Sequence, residues 1–272
     1  MDFGKMQQSR AFPGARNTEV HSRCFSAVAL WHLGAPDQAQ TRIRECLMLV
    51  RELAYPDDLA AALTWAATLH QLRRERHTVS VYAEEAATFA SEYELPYWNS
   101  FSTILRGWAL VTQGQGDKGV AQLRQGLEMY RATGAELGWP YFLSLLAEAY
   151  NYIGQKEQSM AVVEEAIDIA KQHGERLYEA ELYRMKGEFV LSQIIPDVCR
   201  VESYFRQALD IALHQEAKSL ELRAATSLAR LWQQQGKRIE AYELLTPIYG
   251  WFTEGFDTAD LQEAKTLLEA LT

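Results

Sequence analysis

Cysteine and basic charge are scarce in this sequence, and long apolar runs are missing; each lack removes a class of answer. The three cysteines, Cys24, Cys46 and Cys199, form an odd and widely spaced set. A secreted disulfide scaffold uses an even and denser one, so a reducing compartment is expected, with the thiols serving as small buried hydrophobes. Lysine and arginine number 27 against 36 acidic residues, for a formal net charge of −9. Nucleic-acid binding and polybasic membrane contact both need a positive face, so neither partner is expected. No uncharged run approaches the roughly 20 apolar residues of a membrane span. The segment MDFGKMQQSRAFPGARNTE lacks the apolar stretch of a signal peptide, which makes a cytoplasmic protein the expectation. Hydrophobic residues at 48% and charged residues at 23% supply ordinary core-forming chemistry, which excludes intrinsic disorder.

The sequence does contain a repeat. A turn, often carrying glycine, is followed five residues later by the start of a second apolar pattern: Gly34 then Ala39, Arg74 then Val79, Gly114 then Gly119, Gly154 then Ser159, Gly236 then Ala241. The first four of these second-helix markers stand 40 residues apart. A fifth copy has lost its glycine and gained two residues at IIPDVC, which moves its marker to Val201. Small residues recur seven positions before each turn, at Ala27, Ala67, Gly107, Ala147, Gly187 and Ala229. A further set lies seven positions after each marker, at Cys46, Ala86, Gly126, Ala166, Ala208 and Ile248, five of them small. Small side chains at fixed offsets let the two helices of a pair approach closely, which is the logic of tetratricopeptide repeats.

Between markers the spacing is helical, as in Leu143, Leu146, Ala147, Tyr150 and Ile153, and strand signals are nearly absent. Pro36, Pro56, Pro96 and Pro140 stand at or near helix starts, where a missing N–H costs little. The fold class is therefore all-α: a right-handed α-solenoid of about six tetratricopeptide-like helix–turn–helix repeats, with helices of roughly 17 residues. The repeats are placed at about 18–55, 56–95, 96–135, 136–174, 175–215 and 216–250, within a superhelical domain spanning 18–256. Residues 1–17 carry no repeat signal and read as an irregular arm or linker. Residues 257–272 read as a capping helix beginning near Thr258 or Asp260, covering the last apolar face.

Several patterns look like chemistry and dissolve in context. GQGDKG at Gly114–Gly119 matches a dinucleotide fingerprint, but that motif works after a strand, and here it coincides with the turn of the repeat. The six histidines show no metal-ligand spacing and have no nearby cysteine, so no metal and no cofactor are expected. No nucleophile, base and acid set is legible, so no catalytic residues are assigned. Most tryptophans fall in first helices, where core or groove packing is the plain reading.

First helices line the concave face of such solenoids, and that face is the usual binding surface. Counted from the small markers, the inward candidates are Phe101, Ile104 and Trp108 in the third repeat, and Tyr141, Glu148, Asn151 and Tyr152 in the fourth. The fifth repeat offers Glu181, Arg184 and Glu188, and the sixth offers Arg223 and Arg230. This describes a groove with an aromatic end and an ionic end. The charges read equally as a ligand groove or as an internal ion-pair ladder between helices.

Several stretches resemble a known family: RGWALVTQGQGDKGVAQLRQGLEMYRATGAELGWPYFLSLLAEAY, GERLYEAELYRMKGE and RAATSLARLWQQQGKRIEAYELLTPIYGWFTEGFDTADLQEAKTLLE. They look like the C-terminal tetratricopeptide region of large bacterial signalling proteins that join a class III cyclase or another effector to a STAND-type ATPase. The 40-residue period is also similar to the superhelical sensor domain of the maltose-regulon activator. The resemblance runs from about residue 20 onward and implies a sensor or partner-binding arm that regulates an attached or separate ATPase or cyclase. The catalytic parts of those proteins have nothing to map onto here. The expectation is a non-catalytic regulatory module that binds a protein or peptide in its concave groove, with small-molecule sensing as the alternative.

Overall fold

The computed structural model describes residues 18–272; the expected arm at 1–17 lies outside that range. Among the described residues, thirteen helices form six antiparallel pairs and a final single helix. The pairs are α1 (Thr18–His32) with α2 (Pro36–Leu53), α3 (Pro56–Leu72) with α4 (Arg76–Glu92), and α5 (Pro96–Thr112) with α6 (Gly116–Ala132). They continue with α7 (Trp139–Tyr152) and α8 (Lys156–His173), α9 (Glu179–Leu191) and α10 (Val198–His214), and α11 (Lys218–Gln234) and α12 (Arg238–Gly250). The single helix α13 (Ala259–Leu271) covers the end of the stack and packs on α11 and α12. None of the described helices is long and apolar enough to cross a membrane.

Close packing within pairs rests on the small residues. A Cβ added at Gly107 would lie 2.7 Å from the Leu123 backbone nitrogen and 2.9 Å from the Gly119 carbonyl oxygen. One at Gly126 would meet Ile104 at 2.7 Å, and one at Gly187 the Phe205 ring at 2.5 Å. The GQGDKG stretch is the turn between α5 and α6, with Gly114 at φ +87. Arg74 occupies the same turn position in the second repeat with φ +63, a left-handed conformation that costs a non-glycine L-residue about 1 kcal/mol. Four first or second helices are shorter than the expected 17 residues: α1 has 15, α7 has 14, and α9 and α12 have 13 each. Cys24 and Cys46 are buried against each other with sulfurs 3.5 Å apart, as small hydrophobes should be. Cys199 departs from that expectation: it sits exposed near the start of α10, on the solvent side of the helix.

The superhelix closes on itself. Helix α1 packs on α11, and Ser219 donates to the Trp31 carbonyl at 2.5 Å across 188 residues of sequence. Gly255 approaches Pro36 so closely that a Cβ there would lie 2.1 Å from the proline ring. Helix α2 begins with Ala35 at its N-cap, which offers no side-chain acceptor. The Glu254 carboxylate supplies the missing acceptor from the far end of the chain, taking the Asp37 and Gln38 amides at 3.0 and 3.1 Å. Asp37 in turn accepts the Gly255 amide at 3.0 Å. A helix N-terminus with orphan N–H groups and positive partial charge is thus satisfied by a residue of the closing segment.

Two stability outcomes follow. Gly107→Ala forces a methyl group against backbone that cannot yield, and urea denaturation is expected to show a loss of about 1–3 kcal/mol. Glu254→Ala removes the distant cap: a loss of about 1 kcal/mol is expected, with an increased radius of gyration by X-ray scattering and unchanged helical circular dichroism. An unaltered radius would mean that closure does not depend on this carboxylate.

Candidate functional site

Closure leaves two chambers on the inner side of the superhelix. Tyr178 borders both, and the Tyr141 hydroxyl donates to the Gln71 side chain at 2.9 Å, joining the fourth repeat to the second at the partition between them. The larger chamber encloses about 370 Å³ and is lined from first helices. Helix α7 contributes Ser144, Glu148 and Asn151, α9 contributes Glu181, Arg184 and Glu188, and α11 contributes Arg223, Ser227 and Arg230. Each set recurs at three- or four-residue spacing, which stacks its members on one helix face. Trp108 of α5, Gln71 and Arg74 at the end of α3, and Asp260 and Glu263 of α13 complete the lining.

The charges form a connected network. Arg184 holds Glu181 with two parallel bonds, Nη2 to Oε1 at 2.8 Å and Nε to Oε2 at 2.9 Å, and reaches Glu188 at 3.3 Å. Ser227 donates to Glu188 at 2.7 Å. Arg223 pairs with Asp260 at 2.9 Å and Glu181 at 3.5 Å, and also donates to the Leu72 carbonyl. Arg74 reaches Glu263 at 2.8 Å and Asp260 at 3.3 Å, which is the return on its left-handed backbone. Arg230 approaches Glu263 at 3.8 Å. The Trp108 indole donates to Glu148 at 2.8 Å. Burial by itself would raise the Glu181 carboxyl, but Arg184 and Arg223 hold it down at about 2. Burial likewise works against the Arg223 charge, yet Asp260 and Glu181 push its pKa up.

The smaller chamber, about 240 Å³, is apolar. Phe25 of α1, Trp65 of α3, Phe101 of α5 and Phe142 of α7 form an edge-to-face series with centroid separations of 5.0, 5.7 and 4.6 Å. Exposed Phe25, Leu137 and Leu177 belong to its lining. His32, buried beside it, is pushed down to about 4 by desolvation.

Eight of the twelve groove candidates meet in the ionic chamber: Trp108, Glu148, Asn151, Glu181, Arg184, Glu188, Arg223 and Arg230. Phe101 and Tyr141 line the apolar one. Ile104 belongs to neither; it lies three residues from Gly107, on the face that packs into α6, and is fully buried against Gly126. Tyr152, the last residue of α7, is exposed and lines neither chamber. The ladder and the groove are one surface. Sequence reasoning missed Arg74, Asp260 and Glu263; the arginine standing where other copies carry glycine was the available signal for the first. It also missed that His21, Asp57 and Asp58 place donor atoms within 4.8 Å of one another, since they come from two helices.

A tetratricopeptide repeat family model matches residues 141–173, the α7–α8 pair. The chain carries a tetratricopeptide repeat at that pair, within an all-α stack of tetratricopeptide-like helix pairs. A model for anaphase-promoting complex subunit 5 matches residues 7–73, and no curated protein matches the sequence. Among solved structures, a Rap protein complexed with competence and sporulation factor superposes with a TM-score of 0.66 at 11% identity, over 93% of this chain and 74% of that one. The apo form of the quorum sensor NprR from B. thuringiensis gives 0.57 at 10% identity, over 93% and 70%. A STAND protein with a tetratricopeptide repeat sensor, PH0952 from Pyrococcus horikoshii, gives 0.51 at 13% identity, covering 92% of this repeat protein and 38% of that chain. At these identities the likeness is one of fold.

The network makes stability depend on pH. Glu181 titrates near 2 when folded against an ordinary 4.5, so the stability it contributes is fully present above pH 4.5 and is lost as pH falls toward 2. Glu181→Gln leaves two buried arginines short of a counter-charge and is expected to cost about 3 kcal/mol at neutral pH. Its unfolding free energy should fall less steeply than wild type between pH 4.5 and 2. Parallel pH profiles would show that Glu181 does not set this dependence.

Proposed function

We propose that this tetratricopeptide-repeat protein is a non-catalytic regulatory module that takes a short peptide segment into its ionic chamber. The observation that carries the reading is the chamber itself: a concave space of about 370 Å³ lined by arginines, carboxylates, an asparagine and a tryptophan contributed by five repeats and α13. Arginine and tryptophan in a concave, partly desolvated setting are the residue types that dominate binding hot spots. The volume suits a few residues of extended chain and is too small for a folded element. A Rap protein complexed with competence and sporulation factor has a similar fold, which supports a binding role for this one. Because the chamber walls join the second repeat to α13 across the closure, an occupant that prefers a different closure would shift the equilibrium between arrangements, which is how binding becomes regulation. An attached or separate ATPase is the effector that the sequence resemblance and the STAND likeness support.

One observation favours a second reading, small-molecule sensing: the apolar chamber of about 240 Å³, walled by aromatic rings and bordering Tyr141.

Selection of displayed random hexapeptides on the whole chain, followed by calorimetry, tests the first reading. A recurrent sequence is expected whose affinity drops at least about tenfold, or about 1.4 kcal/mol, in Asn151→Leu and Arg230→Glu. Selected peptides that bind both variants like wild type would place the site elsewhere. An empty selection together with a melting temperature raised by an apolar metabolite would favour the second reading.

A further inference from the structure

The charges of the ionic chamber do not balance. Its lining holds the guanidiniums of Arg74, Arg184, Arg223 and Arg230 and five carboxylates. Every one of those arginines lies within 4.0 Å of a carboxylate of the lining, and four of the carboxylates, all but Glu148, are taken up in these pairs. Among the described residues no cation lies within ion-pair distance of Glu148, whose partner is the neutral indole of Trp108 at 2.8 Å. That hydrogen bond does not require the charge, because a neutral amide oxygen would accept it too.

A half-buried carboxylate kept without a counter-charge is unfavourable unless something else supplies one. Several neutral groups of the same lining are of the kind that receive cations. Trp108 and Tyr178, buried but bordering the chamber, bring aromatic rings, whose faces attract positive charge. Ser144, one helical turn before Glu148, and Asn151, nearly one turn after it, offer neutral acceptors on the same face of α7. The chain carries a formal −9, so its field attracts cations overall. We infer that Glu148 is the seat of a cationic group of the occupant, a primary ammonium or a guanidinium, held between the carboxylate and the aromatic rings of Trp108 and Tyr178. The inference rests on the chamber being a binding site and names the chemistry that site selects.

The test uses bare probes of that chemistry on the whole protein. N-acetylargininamide and N-acetyllysinamide carry the cation; N-acetylcitrullinamide has nearly the shape of the first without the charge. The readout is the Trp108 indole N–H resonance, assigned with Trp108→Phe, because that proton sits on Glu148. Saturable shifts are expected with the two cationic probes and none with the citrulline compound. Glu148→Gln keeps the indole hydrogen bond and loses the charge; its affinity for the cationic probes should fall at least about tenfold, with unchanged urea stability as the check on folding. Equal binding of the neutral probe, no response to the cationic ones, or an unaffected Glu148→Gln variant would overturn the inference. Selected hexapeptides that lack any basic group and still lose affinity in Asn151→Leu would overturn it while leaving the peptide reading intact. Cationic probes that bind while no hexapeptide does would uphold the cation seat and sink the peptide reading.

Discussion

The guanidinium of Arg223 is the contact on which the closed form depends most. It pairs with Asp260 of α13 and Glu181 of α9, donates to the Leu72 carbonyl at the end of α3, and lies 4.9 Å from the ring centroid of Trp31 in α1. One buried side chain on α11 therefore touches the first, second and fifth repeats and the final helix. A charge at 9% exposure is tolerated because two carboxylates, a carbonyl and an aromatic face replace its water. Any rearrangement that separates the two ends must also rehydrate this group, which ties the shape of the superhelix to the electrostatics of the inner chamber.

The partition of the inner space follows from the same closure. Aromatic side chains of the first four repeats converge near Tyr141, while charged side chains of the last two meet Arg74 and α13. Tyr141 and Tyr178, in edge contact at 5.2 Å, stand between the two environments. Each has an apolar ring for one side and a hydroxyl for the other, which suits a boundary between dry and ionic surroundings. Each chamber is consistent internally: rings meet rings edge to face, and ion pairs share partners so that few charges stand alone.

Much of this was legible in the residues. The repeat markers placed six pairs and the pattern of residues 257–272 the final helix, and the small markers fell where helices touch: at Gly107, Gly126 and Gly187 a Cβ would collide with the partner helix. The same counting gathered eight groove candidates into one chamber, because the inward face of a first helix keeps its register from repeat to repeat. It failed at Ile104, where 100° per residue separates the groove face from the pair-packing face and the side chain belongs to the second. It failed at Tyr152 because a helix end reaches past its neighbours, and at Cys199 because the inserted residues before α10 leave its first turn on the surface.

Sequence by itself determined the helices, their pairing and the residue types on each face, because periodicity and side-chain volume are local properties. Only the tertiary structure decided that the ends meet. The rotation from one pair to the next is small, and whether five such steps bring α1 onto α11 depends on their sum, which leaves no mark at any single position. That sum places Glu254 on the start of α2 and brings Arg74 to α13. It also leaves Glu148 as the carboxylate of the ionic chamber with no cation in ion-pair distance among the described residues: which charges are spent on one another depends on which helices are brought face to face.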